Sequence, residues 1–194
     1  MANPRKLPKV LTEDERKALL AQLNTRYPTP QRNLYILRLM LEAGLRAGEV
    51  VALRPEHLNL TTCQLIVREG KGAKDRTLWI RDDLRDLIGA WLDRRPESPW
   101  LFPVRTGDQL KTRYLRALVK RLALRAQIPE AEKVSPHTLR HTFATDLYRE
   151  TKNLRLVQKA LGHASVATTQ IYTHIVDEEL EEALRGFRSG QIAA

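Results

Sequence analysis

The chain has 194 residues, 42% of them hydrophobic and 29% charged, which is typical of a globular protein and long enough for one domain with a substantial core. No apolar run approaches the roughly 20 residues that cross a bilayer, the N-terminus lacks the apolar segment of a signal peptide, and the single Cys63 excludes an internal disulfide, so we expect a cytoplasmic protein. Lysine and arginine number 33 against 23 aspartate and glutamate residues, and the net charge of +10 favours a polyanionic partner without choosing among nucleic acid, anionic lipid and the ribosome.

The N-terminal part predicts an arm and then a helix. Residues 1–10 combine prolines and basic residues with little apolar content, which predicts an extended arm or linker remnant outside the core. Thr12 and Glu15 form a capping-box pattern, with a hydroxyl and a carboxylate three residues apart. This pattern predicts that a helix begins there, and Pro28 and Pro30 are expected to break it.

Further helices and one hairpin follow along the chain. Leucines at helical spacing predict a second helix that stops at Gly44, and a short third helix carries Glu49. The runs 64–68 and 76–80 are rich in strand-forming residues and flank a glycine-bearing turn, which indicates a β-hairpin. Helical patterns then occur at about 82–94, 110–127, 136–149, 153–161, 166–172 and 177–187. The expected fold class is therefore mainly α with a small antiparallel β-sheet.

A histidine and an arginine lie near the start of the predicted helix 136–149. Ser135 is a suitable N-cap residue and Pro136 suits the first turn. His137 and Arg140 are three residues apart, so on a helix they share one face near the N-terminus, where backbone amides favour an anion. An isolated histidine and arginine at this spacing usually belong to a capped helix with basic surface residues. A functional interpretation of His137 and Arg140 therefore needs further motifs in the sequence.

Other polar residues stand in short motifs along the chain. They are Arg46 and Glu49 in Gly-Leu-Arg-x-x-Glu, Lys71 in Gly-Lys-Gly, His163 in Leu-Gly-His, and Tyr172 nine residues after that histidine. Together with His-x-Leu-Arg-His, this order of residues resembles the catalytic set of the tyrosine recombinases, the phage integrase family, and most closely that of its Xer-like branch. The resemblance covers about residues 10–188, and it implies a site-specific recombinase that cleaves and rejoins DNA.

The resemblance implies the catalytic-domain fold of that family and the following domain boundaries. The catalytic domain is expected at 11–188, including a C-terminal helix at 177–187, and a flexible tail at 189–194. Full-length members carry an N-terminal domain that clamps the other face of DNA, and the ten-residue arm has no room for it. We therefore expect the core-binding domain to be absent from this chain.

Arg46 and Arg140 are suited to binding the DNA phosphate at which the strand is cleaved, because a guanidinium group stays charged and offers a planar fork. The two arginines can therefore hold both non-bridging oxygens of that phosphate without a metal ion. By resemblance, His163 donates a further hydrogen bond to the same phosphate. Glu49 is expected to orient Arg46, and the alternative is an ordinary exposed pair on a helix. His141 lies four residues after His137 and could suggest a zinc pair, but no third ligand has the expected spacing, so we expect neither a metal ion nor a cofactor.

The resemblance makes Tyr172 the nucleophile, which forms a 3′-phosphotyrosine and keeps the bond energy for rejoining. Since a tyrosine hydroxyl has a pKa near 10, it needs activation by neighbouring cations, and His137 is the family's candidate general base. Lys71 is expected to protonate the leaving 5′ oxygen, with Lys74 as the alternative acid. The remaining tyrosines are expected in the core or on the surface: Tyr27, Tyr35, Tyr114 and Tyr148.

Double-stranded DNA is the expected partner, which would place the protein at the nucleoid when bound. An apolar stripe along the helix 177–187 must be buried, either in a neighbouring subunit of a tetramer on DNA or against its own domain in a free monomer. The alternative functions are a type IB topoisomerase, a non-catalytic helix-turn-helix regulator and a metal-dependent nuclease. The sequence does not decide among integration, excision and dimer resolution.

Overall fold

The computed structural model describes residues 8–68, 75–163, 169 and 172–173. Within these residues the α-helices are α1 Glu13–Ala21, α2 Pro28–Glu42, α3 Ala47–Val51, α4 Asp82–Leu92, α5 Thr112–Arg125, α6 Pro136–Thr151 and α7 Leu154–Leu161. Three short strands form one antiparallel sheet in the order β1 Leu58–Asn59, β2 Gln64–Val67 and β3 Arg76–Trp79. The expected fold class, mainly α with a small antiparallel sheet, is confirmed.

The capping box at the start of α1 is present as predicted. The Thr12 hydroxyl accepts from the Glu15 amide at 3.2 Å, and the Glu15 carboxylate accepts from the Thr12 amide at 2.8 Å. However, α1 already ends at Ala21, and Pro28 is the first residue of α2. Proline is tolerated there because the amides of a first helical turn have no acceptor within the helix. The expectation that the prolines break the first helix is therefore wrong.

Helix α2 runs through the centre of the core. Its residues Ile36, Leu37, Leu39 and Met40 are all fully buried, and α3, α4 and α6 pack against it. Helix α5 adds an apolar stripe that contacts α1, α3 and α6. Since each buried leucine contributes roughly 1.5–3 kcal/mol, this packing holds the start of α3 and the start of α6 in fixed positions beside the same core.

The predicted hairpin is present as β2 and β3, with Gln64 opposite Trp79 and Val67 opposite Arg76. Strand β1, which pairs with β2, is missing from the sequence-based prediction, because two residues are too short to show a period. Alternate residues of β3 face the core, and Arg76 shares this buried face with Leu78. A charged side chain therefore enters the interior at the base of the hairpin.

The described part of the N-terminal arm contacts the domain. Val10 packs against a small apolar cluster that includes Tyr172, and Lys9 pairs with Glu15 at 3.2 Å. Residues 1–10 were expected to lie outside the core, and Val10 departs from this expectation because it packs against apolar neighbours. The predicted helix 177–187, the tail 189–194 and most of the helix 166–172 lie outside the described residues.

Candidate active site

Arg46 and Glu49 form the first part of the site, at the start of α3. Gly44 ends the preceding helix with a φ of +65°, and two residues later Arg46 is the N-cap of α3. The Glu49 carboxylate accepts from the Arg46 amide and from its guanidinium group, both at 2.7 Å. The Glu49 side chain is only 9% exposed, against 37% for Arg46. The expected contact is present, and the alternative of an exposed surface pair does not fit this burial.

Arg76 also belongs to the site, although no sequence motif predicts it. Its guanidinium group donates two hydrogen bonds to Glu49, Nη1 to Oε1 at 3.0 Å and Nη2 to Oε2 at 2.8 Å. Its Nε donates to the carbonyl of Ala160 at 2.9 Å. The strand alternation that places Arg76 beside Leu78 was the available signal, because a cation on a buried face needs a partner.

Arg140 is buried on α6, and its guanidinium group binds two backbone carbonyls. Nη1 donates to Gly44 at 2.7 Å and Nη2 donates to Leu161 at 2.6 Å. Its Nη1 also lies 3.8 Å from Glu49 Oε2. The two carbonyls come just before the segments that carry Arg46 and His163. Arg140 therefore fixes these two segments relative to each other, whereas His137, on the same helix face, is exposed.

The charges of this cluster do not balance. The guanidinium groups of Arg46, Arg76 and Arg140 surround the single carboxylate of Glu49, so three positive charges and one negative charge leave a net charge of +2 on these four side chains. Burial works to raise the pKa of Glu49, but the hydrogen bonds and charge of Arg76 outweigh it and hold that pKa below its ordinary value. Burial and the nearby Arg46 lower the pKa of Arg140 to about 10. Glu49 and Arg140 are therefore both charged at neutral pH, and the excess of guanidinium groups favours an added anion.

His163 follows the end of α7, where Gly162 adopts a φ of +67°. Its amide donates to the Gln158 carbonyl at 3.1 Å, and its Nδ1 lies 3.1 Å from the Thr169 hydroxyl. Burial, followed by the charges of Arg140 and Arg46, lowers the pKa of His163 to about 4. The imidazole is therefore neutral at pH 7, and it offers a hydrogen bond rather than a charge.

His137 lies between two cavities on the surface of the domain. One, of about 620 Å³, is also lined by Arg46, Arg68 and Arg116. The other, of about 420 Å³, is also lined by Lys133 and by residues of the N-terminal arm. Both are open and carry basic side chains. The surface around His137 and Arg46 is therefore suited to a polyanion that runs across it.

Tyr172 lies in a small apolar cluster with Ala144, Val157 and Leu161 and is only 1% exposed. Its hydroxyl oxygen is 3.0 Å from Nδ1 of His141. Burial raises the pKa of Tyr172 to about 12, although the positive charges of Arg140 and Arg46 act to lower it.

His141 is a second residue of the site that was not predicted, because its spacing from His137 suggested only half of a zinc pair. Its place next to Arg140 and one turn after His137 was the only available signal.

The structure brings Arg46, Glu49 and Arg140 into one cluster, with His163 and Tyr172 close enough to respond to its charges. Lys71 and its alternative Lys74 lie outside the described residues. Two of the other tyrosines lie where they were expected, in the core or on the surface: Tyr35 is in the core and Tyr27 is 62% exposed. Among the residues described, no three histidine, cysteine or acidic side chains come together as a metal site, and no helix is long and apolar enough to cross a membrane.

Comparison with known proteins gives the class of this domain. The Phage integrase family model matches residues 9–179, so the chain belongs to the phage integrase family, the tyrosine recombinases. It is 41% identical to tyrosine recombinase XerA of Thermococcus kodakarensis over 184 residues, which are 93% of this chain and 63% of that protein. It is 40% identical to tyrosine recombinase XerD of Ralstonia nicotianae over 185 residues, 91% of this chain and 59% of that protein. The chain spans about three fifths of the length of these relatives.

Solved structures agree with this assignment. The crystal structure of XerA recombinase superposes with a TM-score of 0.79 at 34% identity, covering 95% of this chain and 67% of that one. XerH site-specific recombinase in a post-cleavage complex with palindromic difH substrate gives 0.80 at 32% identity, covering 94% of this chain and 55% of that one. The fold and the family are thus those of a Xer-like tyrosine recombinase catalytic domain.

Proposed function

We propose that this chain is the catalytic part of a site-specific DNA recombinase, which cleaves and rejoins strands through a covalent bond between Tyr172 and a 3′ phosphate. The observation that carries the proposal is the net positive cluster around Glu49, next to the cavity lined by Arg46 and His137. Strand cleavage places extra negative charge on the non-bridging oxygens of the phosphate. Preorganised arginines stabilise that charge without a metal ion and without reorganising during the reaction.

In the proposed cleavage step the Tyr172 oxygen forms a bond to phosphorus and the bond from phosphorus to the 5′ oxygen breaks. As the new bond forms, the tyrosine proton passes to His137, the family's candidate general base. The leaving 5′ oxygen takes a proton, for which the resemblance to the family assigns Lys71. Rejoining reverses these steps: Lys71 takes the proton of the attacking 5′ hydroxyl, and His137 returns a proton to the tyrosine oxygen as its bond to phosphorus breaks. Arg46 and Arg140 hold the phosphate in both directions, with Glu49 and Arg76 as positioning residues.

Tyr172 needs a change of surroundings before this step. With a pKa of about 12, only about one molecule in 100,000 carries the phenolate at pH 7. The same hydroxyl placed on a phosphate beside Arg46 and Arg140 would lie in water and next to two cations, and both changes lower its pKa. The proposed mechanism therefore includes a movement of the tyrosine toward the arginines.

Double-stranded DNA is the proposed partner. The net charge of +10 and the basic cavity next to His137 support it. XerH, a related recombinase, has been crystallised on its difH substrate. The relatives XerA and XerD are tyrosine recombinases. Strand exchange is therefore favoured over relaxation of supercoils by a type IB topoisomerase and over a non-catalytic regulator. A cytoplasmic location, with the bound protein at the nucleoid, belongs to the same proposal.

The experiment is to incubate the protein, in EDTA, with a pool of nicked suicide duplexes of randomised sequence, and to isolate complexes that survive SDS. We expect a covalent adduct that maps to Tyr172, that the Tyr172→Phe variant does not form, and that the Tyr27→Phe variant forms normally. No adduct with any duplex would overturn the enzyme function, and an adduct in Tyr172→Phe would move the nucleophile elsewhere. Strand cleavage that occurs only without EDTA and leaves no covalent adduct would indicate a metal-dependent nuclease.

Assembly is a separate proposal. We infer that the helix predicted at 177–187 docks into a neighbouring subunit, so that four copies assemble on two duplexes while the free protein is a monomer. Truncation after Val176 should then leave DNA binding by single copies intact and remove the tetramer in sedimentation on cognate DNA. An unchanged tetramer after truncation would show that this helix packs on its own domain.

A further inference from the structure

His141 contacts the atom that reacts in the proposed mechanism. It is not among the six catalytic positions that the resemblance to the family assigns, which are Arg46, Lys71, His137, Arg140, His163 and Tyr172. Its Nδ1 lies 3.0 Å from the Tyr172 hydroxyl oxygen, and the two rings are 5.8 Å apart at an angle of 50°. His137, the family's candidate base, lies one turn earlier on α6 and is exposed. The nucleophile in this structure is therefore held by a different histidine.

Two opposite roles are conceivable for this contact. His141 could remove the proton of Tyr172 and so activate it, or it could stabilise the protonated hydroxyl in a position from which it cannot react. The structure favours the second role. Burial, then the charges of His137 and Arg140, lower the pKa of His141 to about 4, whereas the pKa of Tyr172 is raised to about 12. Since proton transfer from the tyrosine to this histidine is strongly unfavourable, the contact is a hydrogen bond between two neutral groups.

The surroundings of the ring lead to the same conclusion. Tyr172 packs among Ala144, Val157 and Leu161, with Val10 and Phe143 at the edge of the cluster. With 1% of the residue exposed, a DNA phosphate cannot reach its hydroxyl. Attack therefore requires the ring to leave this cluster, and the hydrogen bond to His141 must break when it does.

We propose that His141 is a positioning residue that holds Tyr172 in a resting position and slows strand cleavage until the ring is released. With Nε2 protonated, the neutral imidazole accepts the hydroxyl proton at Nδ1, and the phenol stays out of reach of DNA. This role rests on the proposed function, since it assigns a state to the nucleophile of that reaction. Loss of one neutral hydrogen bond shifts such an equilibrium by roughly three- to tenfold toward the released state.

The first test uses the protein without DNA. Hydroxyl-radical labelling with mass spectrometry measures the exposure of Tyr172, and the well-exposed Tyr27 is the internal reference. The His141→Phe variant keeps a ring but has no polar atom, and we expect roughly three- to tenfold more labelling of Tyr172. His141→Asn restores a polar group near the Nδ1 position and should return labelling to the wild-type level. His137→Phe is the matched control one turn away and should leave the labelling of Tyr172 unchanged.

The second test measures the single-turnover rate of adduct formation on the nicked suicide pool. We expect His141→Phe to form the adduct roughly three- to tenfold faster than the wild type, and His141→Asn to match the wild type. Thermal melting of each variant verifies that it is folded. A slower rate in folded His141→Phe, or unchanged labelling of Tyr172, overturns the proposal, and a slower rate identifies His141 as an activating group. If the wild type forms no adduct at all, the proposed function fails, while the labelling still decides whether His141 retains Tyr172.

Discussion

Arg76 and Glu49, 27 residues apart in the chain, are joined by two parallel hydrogen bonds of 3.0 and 2.8 Å between a buried guanidinium group and a buried carboxylate. The third donor of Arg76, its Nε, binds the Ala160 carbonyl at the end of α7. Glu49 in turn holds Arg46. Glu49 therefore joins the base of the hairpin to the turn before α3, and Arg76 joins both to the segment before His163.

Glu49→Gln should destabilise the fold and slow cleavage. Among the side chains of Glu49, Arg46, Arg76 and Arg140, the substitution removes the one negative charge and leaves three guanidinium groups close together. Breaking a buried ion pair in this way costs about 3 kcal/mol. Urea unfolding measures this loss. Glu56→Gln is the matched control, because Glu56 is exposed and lies 3.8 Å from Arg54, and its effect should stay within about 0.5 kcal/mol. Equal effects of the two substitutions would contradict a special role for the Glu49 cluster.

Gly44→Ala should also destabilise the protein, by about 2–4 kcal/mol. Gly44 has a φ of +65°, where a side chain costs roughly 1–2 kcal/mol, and an added Cβ would lie 2.3 Å from the ring of Phe143. Since its carbonyl accepts from Arg140, cleavage should be slower as well. Thermal melting and the adduct assay measure the two effects.

Gly48 provides the control for this substitution. It lies in α3, and a Cβ there would meet nothing within 4 Å. Gly48→Ala should therefore leave the free energy of unfolding unchanged or raise it by up to about 1 kcal/mol. If Gly44→Ala is equally harmless, the contact of Gly44 with Phe143 does not constrain the turn.

Much of the fold could be predicted from local patterns, and the contacts of the site could not. The capping box at Thr12 and the glycine stop at Gly44 depend on residues a few positions apart, so the sequence contains them directly. The partners of Arg76 and His141 lie 27 and 31 residues away, and their distances depend on how α3, β3 and α6 pack. Resemblance to a family supplied the six positions, but it contained no information on which neighbours hold them in place.

Stability should fall as the pH drops from about 6.5 to about 4. Burial lowers the pKa values of His141 and His163 to about 4, from an ordinary value of 6.5. Between these values the unfolded chain binds protons that the folded protein does not, so acid favours unfolding, and this stability is fully present only above about pH 6.5. Each ring should contribute on the order of 1 kcal/mol, because both are partly solvated.

Urea unfolding at about pH 7.5 and about pH 5 measures this loss. An asparagine side chain does not titrate in the folded or the unfolded protein. His163→Asn should therefore remove the contribution of His163 and reduce the difference in the free energy of unfolding between the two pH values. The same pH dependence in His163→Asn and in the wild type would show that His163 is not held in its neutral form by the fold.

The arginines that line the cavity of about 620 Å³ beside His137 should contribute to DNA affinity through phosphate contacts. Arg68 and Arg116 are exposed and line this cavity together with Arg46. Each phosphate contact releases counterions, so Arg116→Ala should weaken binding to DNA of any sequence and reduce the slope of log affinity against log salt by about 0.9. Arg125→Ala is the matched control, because Arg125 is an exposed arginine nine residues later on α5, which places it on the opposite side of that helix. Fluorescence anisotropy between about 50 and 200 mM salt measures both slopes, and an equal change for the two variants would place the DNA on another surface.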